Sequence, residues 1–369
     1  MTTIASPTEA FVRLDATAAQ PSPPRRRRSL AHVFLGDLLS VFVTVATGAM
    51  LIAIVPKLLS WAVVNGVWQG DGSACQDAGA CWAFLREKYR FILFGIYPPG
   101  EQWRPACVVL IFFGLVLWSL PPTHWTRKTL VLWLAGLTAA IILMAGGVLG
   151  LSEVPTSSWG GLPITILLTV ISLGAAFPLA VALALGRQSS LKGIHLMSVG
   201  IIEVIRGLPL LSLLFIASVV LPIMLPDGMT IDKFVRALVA LTIFSAAYIA
   251  EVLRGGLQAL PPGQREAAQS LGLGWLATTR LIILPQAIRK VIPPLTNTVI
   301  VMVKNTSLVL VVGLFDLLSS GRAAATDPAW PAPYKETYLF VAVIYFLICF
   351  AISRYSRWLE QRVAIEARS

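Results

Sequence analysis

The chain has 369 residues, of which 56% are hydrophobic and 13% charged, with mean hydropathy +0.78 and formal net charge +11. A soluble domain carries about 25% charged residues, so the shortage of charge and several long apolar runs place this chain in a bilayer and argue against a soluble enzyme or binding module. The positive charge flanks those runs, which marks cytoplasmic loops rather than a nucleic-acid footprint.

The first 36 residues are polar, include "PSPPRRRR" at 21–28, and show no cleavable signal. They are expected to form a disordered basic cytosolic arm whose arginines hold the N-terminus inside. Eight membrane helices are then predicted, near 38–58, 104–120, 129–150, 162–185, 205–225, 234–254, 290–313 and 337–353. With both termini cytoplasmic, nineteen of the Lys and Arg residues fall on inner segments and nine on outer ones, leaving Lys304 within a span. That bias supports the orientation. It puts residues 60–104 in an external loop, a segment 256–288 in the cytoplasm, and 356–369 in a cytosolic tail. A seam near residue 155, in "SEVPTSSWGGLP", divides three N-terminal spans (37–155) from a five-span core (156–355) that carries most of the patterned polar residues.

Four cysteines are present. Cys107 and Cys349 fall in apolar spans and read as packing residues. Cys75 and Cys81, six apart in the polar external stretch "GDGSACQDAGACW", are candidates for a small disulfide in an oxidising compartment, with two free thiols as the alternative. The three histidines, His32, His124 and His195, are scattered, so no metal site is expected. There is no G-x-x-x-x-G-K-[ST] loop to cradle ATP phosphates, and nothing points to a catalytic triad. The chain reads as a non-enzyme that binds no cofactor itself.

The inner segment "LPPGQREAAQSLGLGWLATTRLIILPQA" is polar and broken by glycine and proline. Pro261 and Pro262 stop the preceding span and open a short helix over Glu266–Leu271. Ala267 and Leu271 share one face of it, with Ala268 beside them. Gly272 and Gly274 are expected to end it, because glycine tolerates the positive φ of a helix C-cap. A second helix should run from Trp275 to Leu284 and stop at Pro285. Such an elbow suits either a docking knob for a partner or an amphipathic seat on lipid.

Three polar groupings lie within or beside the spans. Glu203 and Arg206, and Glu251 and Arg254, are three apart, so each pair shares a helix face. Either each pair neutralises itself at the interface, or Arg206 takes part in an inner gate while Glu251 and Arg254 are structural. Lys304 precedes Asn305, Thr306 and Ser307 in an apolar span, and Pro293 and Pro294 should break that helix earlier. A discontinuous helix leaves backbone dipoles free for a zwitterionic solute; a lysine bonded to neighbouring helices is the alternative.

The elbow resembles the EAA loop of ABC-importer permeases: Glu266-Ala267-Ala268, three residues, Gly272, nine residues, then Ile282-x-Leu284-Pro285. "IEVIRGLPLL" (202–211), "AAYIAEVLRGGLQALPPGQREAA" (246–268) and "NTVIVMVKNTSLV" (297–309) resemble motifs of the polar-amino-acid branch, with Asn305 where an aspartate is frequent. The likeness covers about 160–369. The three extra N-terminal spans and "SWGGLPIT" are similar to the M-type permease of the general L-amino acid system.

The resemblance implies an all-α membrane protein with a type I importer core of five helices plus three N-terminal ones. It implies ATPase coupling through Glu266, Ala267, Ala268, Leu271, Gly272, Ile282, Leu284 and Pro285. A translocation path or gate is expected to involve Glu203, Arg206, Asn297, Lys304 and Thr306. Expected partners are a second permease in a heterodimer, two ATP-binding subunits holding ATP and Mg, a periplasmic amino-acid-binding protein and membrane lipid, in a bacterial inner membrane. The rival reading, an ion-gradient-driven secondary transporter, should show matched interrupted repeats, and none is obvious. A membrane enzyme would need a convergent titratable cluster.

Overall fold

The structure, a computed structural model, describes Phe34 and residues 36–366 except Asp227, with side chains through Arg362. Apart from Phe34 and Gly36, the expected basic arm lies outside the described residues, as do the last three residues of the tail. The described chain separates into two units, Met1–Val64 and Asn65–Ser369.

In the first unit, α1 (Leu38–Leu59) continues through a π-helical turn, Ser60–Val64. Asp37 caps it, accepting from the Ser40 N–H at 2.7 Å. Most of its residues are apolar, as a helix surrounded by hydrocarbon requires.

The second unit begins with a loop that contains α2 (Trp82–Phe94). Four long helices follow from the apolar runs: α3 (Trp103–Ser119), α4 (Arg127–Ala145), α5 (Gly161–Gly186) and α8 (Lys233–Gln258). Between the last two lie α6 (Lys192–Gly207) and α7 (Leu210–Met224), bent by 100°. The elbow comprises α9 (Gly263–Ser270), α10 (Trp275–Thr278), a π-helical turn over Thr279–Ile283 and α11 (Leu284–Lys290). Next come α12 (Ile292–Asn305), a 3-10 stretch Thr306–Val312, the two-residue strand β1 (Phe315–Asp316), α13 (Leu317–Ala325) and α14 (Tyr334–Glu366). Among the described residues, seven helices are long and apolar enough to cross a membrane, or eight if α6–α7 is one broken span.

The α5–α8 pair forms the spine. Ala176, Ala180 and Ala184 repeat every fourth residue on α5 and are fully buried against Ala246, Ala250 and Leu253 of α8. Small residues at this spacing let two membrane helices approach closely. Beyond this alanine stripe, Val108, Phe112 and Leu115 of α3 and Ala140 and Met144 of α4 join Ile164, Leu167 and Leu168 of α5 in a second cluster.

One end of this unit is fastened by its loops. Cys75 and Cys81 form a disulfide with Cα atoms 5.6 Å apart. The Cys81 N–H donates to Glu336 Oε1 at 3.1 Å, Lys88 Nζ lies 2.7 Å from Asp327 Oδ2, and the rings of Phe84 and Trp330 meet edge to face at 5.6 Å. Arg104, fully buried, donates from Nη1 to Ser152 O at 2.8 Å and from Nη2 to Ser152 Oγ at 2.7 Å, with the Glu101 carboxylate 2.9 Å from its guanidinium.

Several expectations are corrected. The span expected at 205–225 begins at Leu210, because the chain turns at Gly207–Pro209 and residues 192–207 form a separate helix. The break expected from Pro293 and Pro294 lies just ahead of them, at Val291 between α11 and α12, and the prolines occupy the first turn of α12, where the missing proline N–H would have no helical partner. A second change of geometry falls at Thr306, where the α-helix tightens into 3-10 geometry. Residues 356–366, within the segment expected as a cytosolic tail, are helical as the end of α14.

Candidate functional site

The elbow's geometry follows from its punctuation. Gly272 has φ +74°, the left-handed conformation that ends α9, and the Leu273 N–H returns to the Ala268 carbonyl at 3.1 Å. Gly274 has an extended conformation (φ −67°, ψ 162°) and is the N-cap of α10, not a second breaker. The helix expected to stop at Pro285 continues to Lys290. The π-helical turn just ahead of Pro285 shifts the hydrogen-bond register, and a proline at the second position of the following segment needs no N–H partner.

The elbow presents two chemically different sides. Ala268, Thr278, Thr279, Ile283 and Ala287 are buried against the rest of the chain, and Ile282 and Leu284 are half-buried. Glu266, Ala267, Gly272 and Pro285 are exposed, and Leu271 is 79% exposed. Ala268 and Leu271 therefore point to different surroundings, contrary to their grouping by sequence. Trp275, Leu276 and Leu281 of the same elbow are each about two-thirds exposed. Large apolar side chains gathered on a loop mark a contact surface for protein or lipid.

The elbow is fastened at its edges. Arg265 Nη2 donates to Gln188 Oε1 at 2.8 Å, Gln286 Nε2 to Gln264 Oε1 at 3.1 Å, and Lys290 Nζ to the Ala259 carbonyl at 2.7 Å. Gly256 permits the closest approach: a Cβ there would lie 2.5 Å from Val291 Cγ1 and 2.8 Å from the Ala287 carbonyl oxygen. The backbones of α8 and α11 touch because that position lacks a side chain.

Beside the elbow lies a charged network. Arg254 engages Glu251 with two nitrogens, Nη2 at 2.6 Å and Nε at 2.9 Å, so this pair forms as its spacing suggests. Glu203 and Arg206 do not pair with each other. Glu203 Oε1 accepts from Arg187 Nη1 at 2.8 Å, and Arg206 Nη1 lies 3.9 Å from Glu251 Oε2. Helix packing overrides the local spacing, because α5, α6 and α8 end side by side here.

The residues expected to share one path occupy separate places. Arg206 belongs to this network. Lys304 borders a groove of about 350 Å³ between α12 and α14, with Ser307, Tyr338 and Tyr345, and no ion pair or hydrogen bond engages its ammonium among the described residues. Asn297 is exposed two helical turns before Lys304. Thr306 is buried, its hydroxyl donating to the Val303 carbonyl at 2.7 Å. Arg187 and Gln188 escaped the sequence reading. Their partners lie far away along the chain, and no short motif signals them.

Comparison with known proteins identifies the family. The family described as binding-protein-dependent transport system inner membrane component matches residues 176–365. The chain is 45% identical over 317 residues to the inner membrane amino-acid ABC transporter permease protein YhdY of Escherichia coli (strain K12), covering 84% of this chain and 85% of that one. It is 34% identical over 437 aligned residues to the glutamate/glutamine/aspartate/asparagine transport system permease protein BztC of Rhodobacter capsulatus, covering 97% and 99%. A crystal structure of an amino acid ABC transporter with histidines aligns with TM-score 0.49 at 38% identity, covering 55% of this chain and 92% of that one. The chain belongs to the family of binding-protein-dependent transport system inner membrane components and is an ABC-transporter permease.

Proposed function

We propose that this permease carries L-amino acids inward, driven by ATP bound and hydrolysed with Mg on two separate ATP-binding subunits. A second permease of similar core pairs with it as a heterodimer, and an external amino-acid-binding protein delivers the solute. The elbow, with Glu266 and Leu271 exposed and Ala268 anchored inward, is the part that an ATP-binding subunit grips. Closure of the two ATPases moves the elbow, and the helices tied to it open the path outward. Lys304, with Asn297 on the same helix face, supplies a cation for the solute's carboxylate in the α12–α14 groove, and the 3-10 stretch beginning at Thr306 borders it. The elbow faces the cytoplasm and the disulfide-bearing loop faces outward, an orientation supported by the excess of Lys and Arg on the elbow's end.

The observation that carries this reading is the exposed apolar surface of the elbow, at the spacing shared with ABC-importer permeases. The relatives named as amino-acid permeases, aligned over most of their own lengths, support the substrate class. The test is uptake of labelled L-amino acids into vesicles containing the co-expressed complex. Uptake should require internal ATP and survive an ionophore that collapses ion gradients. Uptake that follows the gradient would contradict the reading.

A further inference from the structure

Glu251 stands where three helix ends meet. It holds Arg254 of its own helix with both carboxylate oxygens. Its Oε2 is also 3.4 Å from Arg187 Nη1, just past α5, and 3.9 Å from Arg206 Nη1, near the end of α6. Three guanidinium groups thus share two carboxylates, Glu251 and Glu203. Arg206 is the least firmly held of the three. Its contact is the longest, its Nε is buried without a hydrogen-bond partner, and its guanidinium lies 5.7 Å from the Tyr248 ring centroid. It also stands immediately before Gly207, where α6 gives way to α7 through the 100° bend.

Two further observations connect this network to the elbow. Arg187 and Gln188 are neighbours in the chain: the first contacts Glu251, and the second accepts from Arg265 of the elbow. A groove of about 400 Å³ opens between Glu251 and Gly255 on one side and Lys290, Val291 and Pro294 on the other. There is therefore open space between Glu251 and the end of α11, while Lys290 is held on the Ala259 carbonyl.

We infer that Glu251 is a positioning residue of transport, the carboxylate through which displacement of the elbow becomes movement of the bent pair α6–α7. The link runs from Arg265 to Gln188, from the adjacent Arg187 to Glu251, and from Glu251 to Arg206 at the hinge. Charged groups in discrete contacts suit such a link, because each arm is either made or broken. Arg206 is the arm exchanged as the bent pair swings, and the groove beside Lys290 gives α11 room to move. This inference rests on the importer reading above and adds to it a residue that lies outside the elbow.

The experiment compares ATP hydrolysis with uptake of a labelled L-amino acid mixture in vesicles holding the whole complex. Wild-type uptake driven by ATP establishes the importer reading first; its absence would overturn both that reading and this inference. With wild-type uptake in hand, Glu251→Gln should keep hydrolysis within about twofold while uptake per ATP falls at least tenfold, and Glu251→Asp should recover part of that ratio. An unchanged ratio, including an equal fall in hydrolysis and uptake, would overturn the inference. If Glu251→Gln fails to assemble, Arg206→Gln decides, because it leaves the Arg254 and Arg187 contacts in place. A several-fold lower ratio supports the link, and a wild-type ratio refutes it.

Discussion

Arg265 and Gln188, 77 residues apart, meet at 2.8 Å and join the elbow to the turn that follows α5. The elbow is therefore held at its polar edges while its apolar surface stays open. A loop that transmits force needs this combination, since it must be gripped on one side and tied to the moving helices on the other.

Gly256 should tolerate no side chain. In Gly256→Leu the new atoms would meet the Ala287 carbonyl at under van der Waals distance, and backbone cannot yield as a side-chain tip can. Overpacking of this kind costs about 1–3 kcal/mol. The expected result is a lowered thermal midpoint in detergent and loss of ATP-driven uptake. Gly255→Leu on the neighbouring position, where a Cβ meets nothing within 4 Å, should be much milder.

The Cys75–Cys81 bridge closes a short loop beside Trp330 and Glu336. Removing it by Cys81→Ser should destabilise the protein by about 2 kcal/mol through the entropy of the opened loop. In the denatured protein, thiol alkylation should label only Cys107 and Cys349 before reduction, and two more sites after it.

Lys88 and Asp327 make stability depend on pH. The Lys88 ammonium holds the Asp327 carboxyl below its usual range, helped by the Ala329 N–H. Asp327 in turn raises Lys88 above its usual range. A depressed carboxylate contributes stability above its unfolded value and loses it as pH falls through the folded value. A raised ammonium contributes below its unfolded value and loses it as pH rises through the folded one. The contribution is therefore full between about pH 5 and pH 9. The midpoint difference between wild type and Asp327→Asn should be level in that window and shrink in acid. A difference that stays constant to about pH 2 would contradict the assignment.

Lys304→Met should leave the complex assembled and lower uptake at least tenfold, because the groove between α12 and α14 would lose its cation. Lys304→Arg should retain part of the activity. Wild-type uptake by Lys304→Met would remove the lysine from the path.

The features legible in the sequence were those written locally. Gly272 announced the end of α9, and the apolar runs announced α3, α4, α5 and α8 to within a few residues at most of their ends. The elbow's offsets announced its resemblance. The unread features depended on distant packing. Glu203 chose Arg187, 16 residues away, over Arg206 at three, because the ends of α5 and α6 adjoin. Pro285 looked like a stop, yet the π-helical turn before it let the helix continue. Helix α2 escaped because its charged residues hide a buried face built from Ala83, Phe84 and Ile92.

The most direct measurement tags this chain, purifies it in mild detergent from cells expressing its neighbouring subunits, and identifies the proteins recovered with it. A Glu266→Arg/Leu271→Asp double variant, both changes on exposed elbow positions, is purified alongside. An ATP-binding subunit should accompany the wild type and be lost from a variant that is still folded. An ATP-binding subunit retained by the variant, or a wild-type chain recovered alone with uptake that follows an ion gradient, would contradict it.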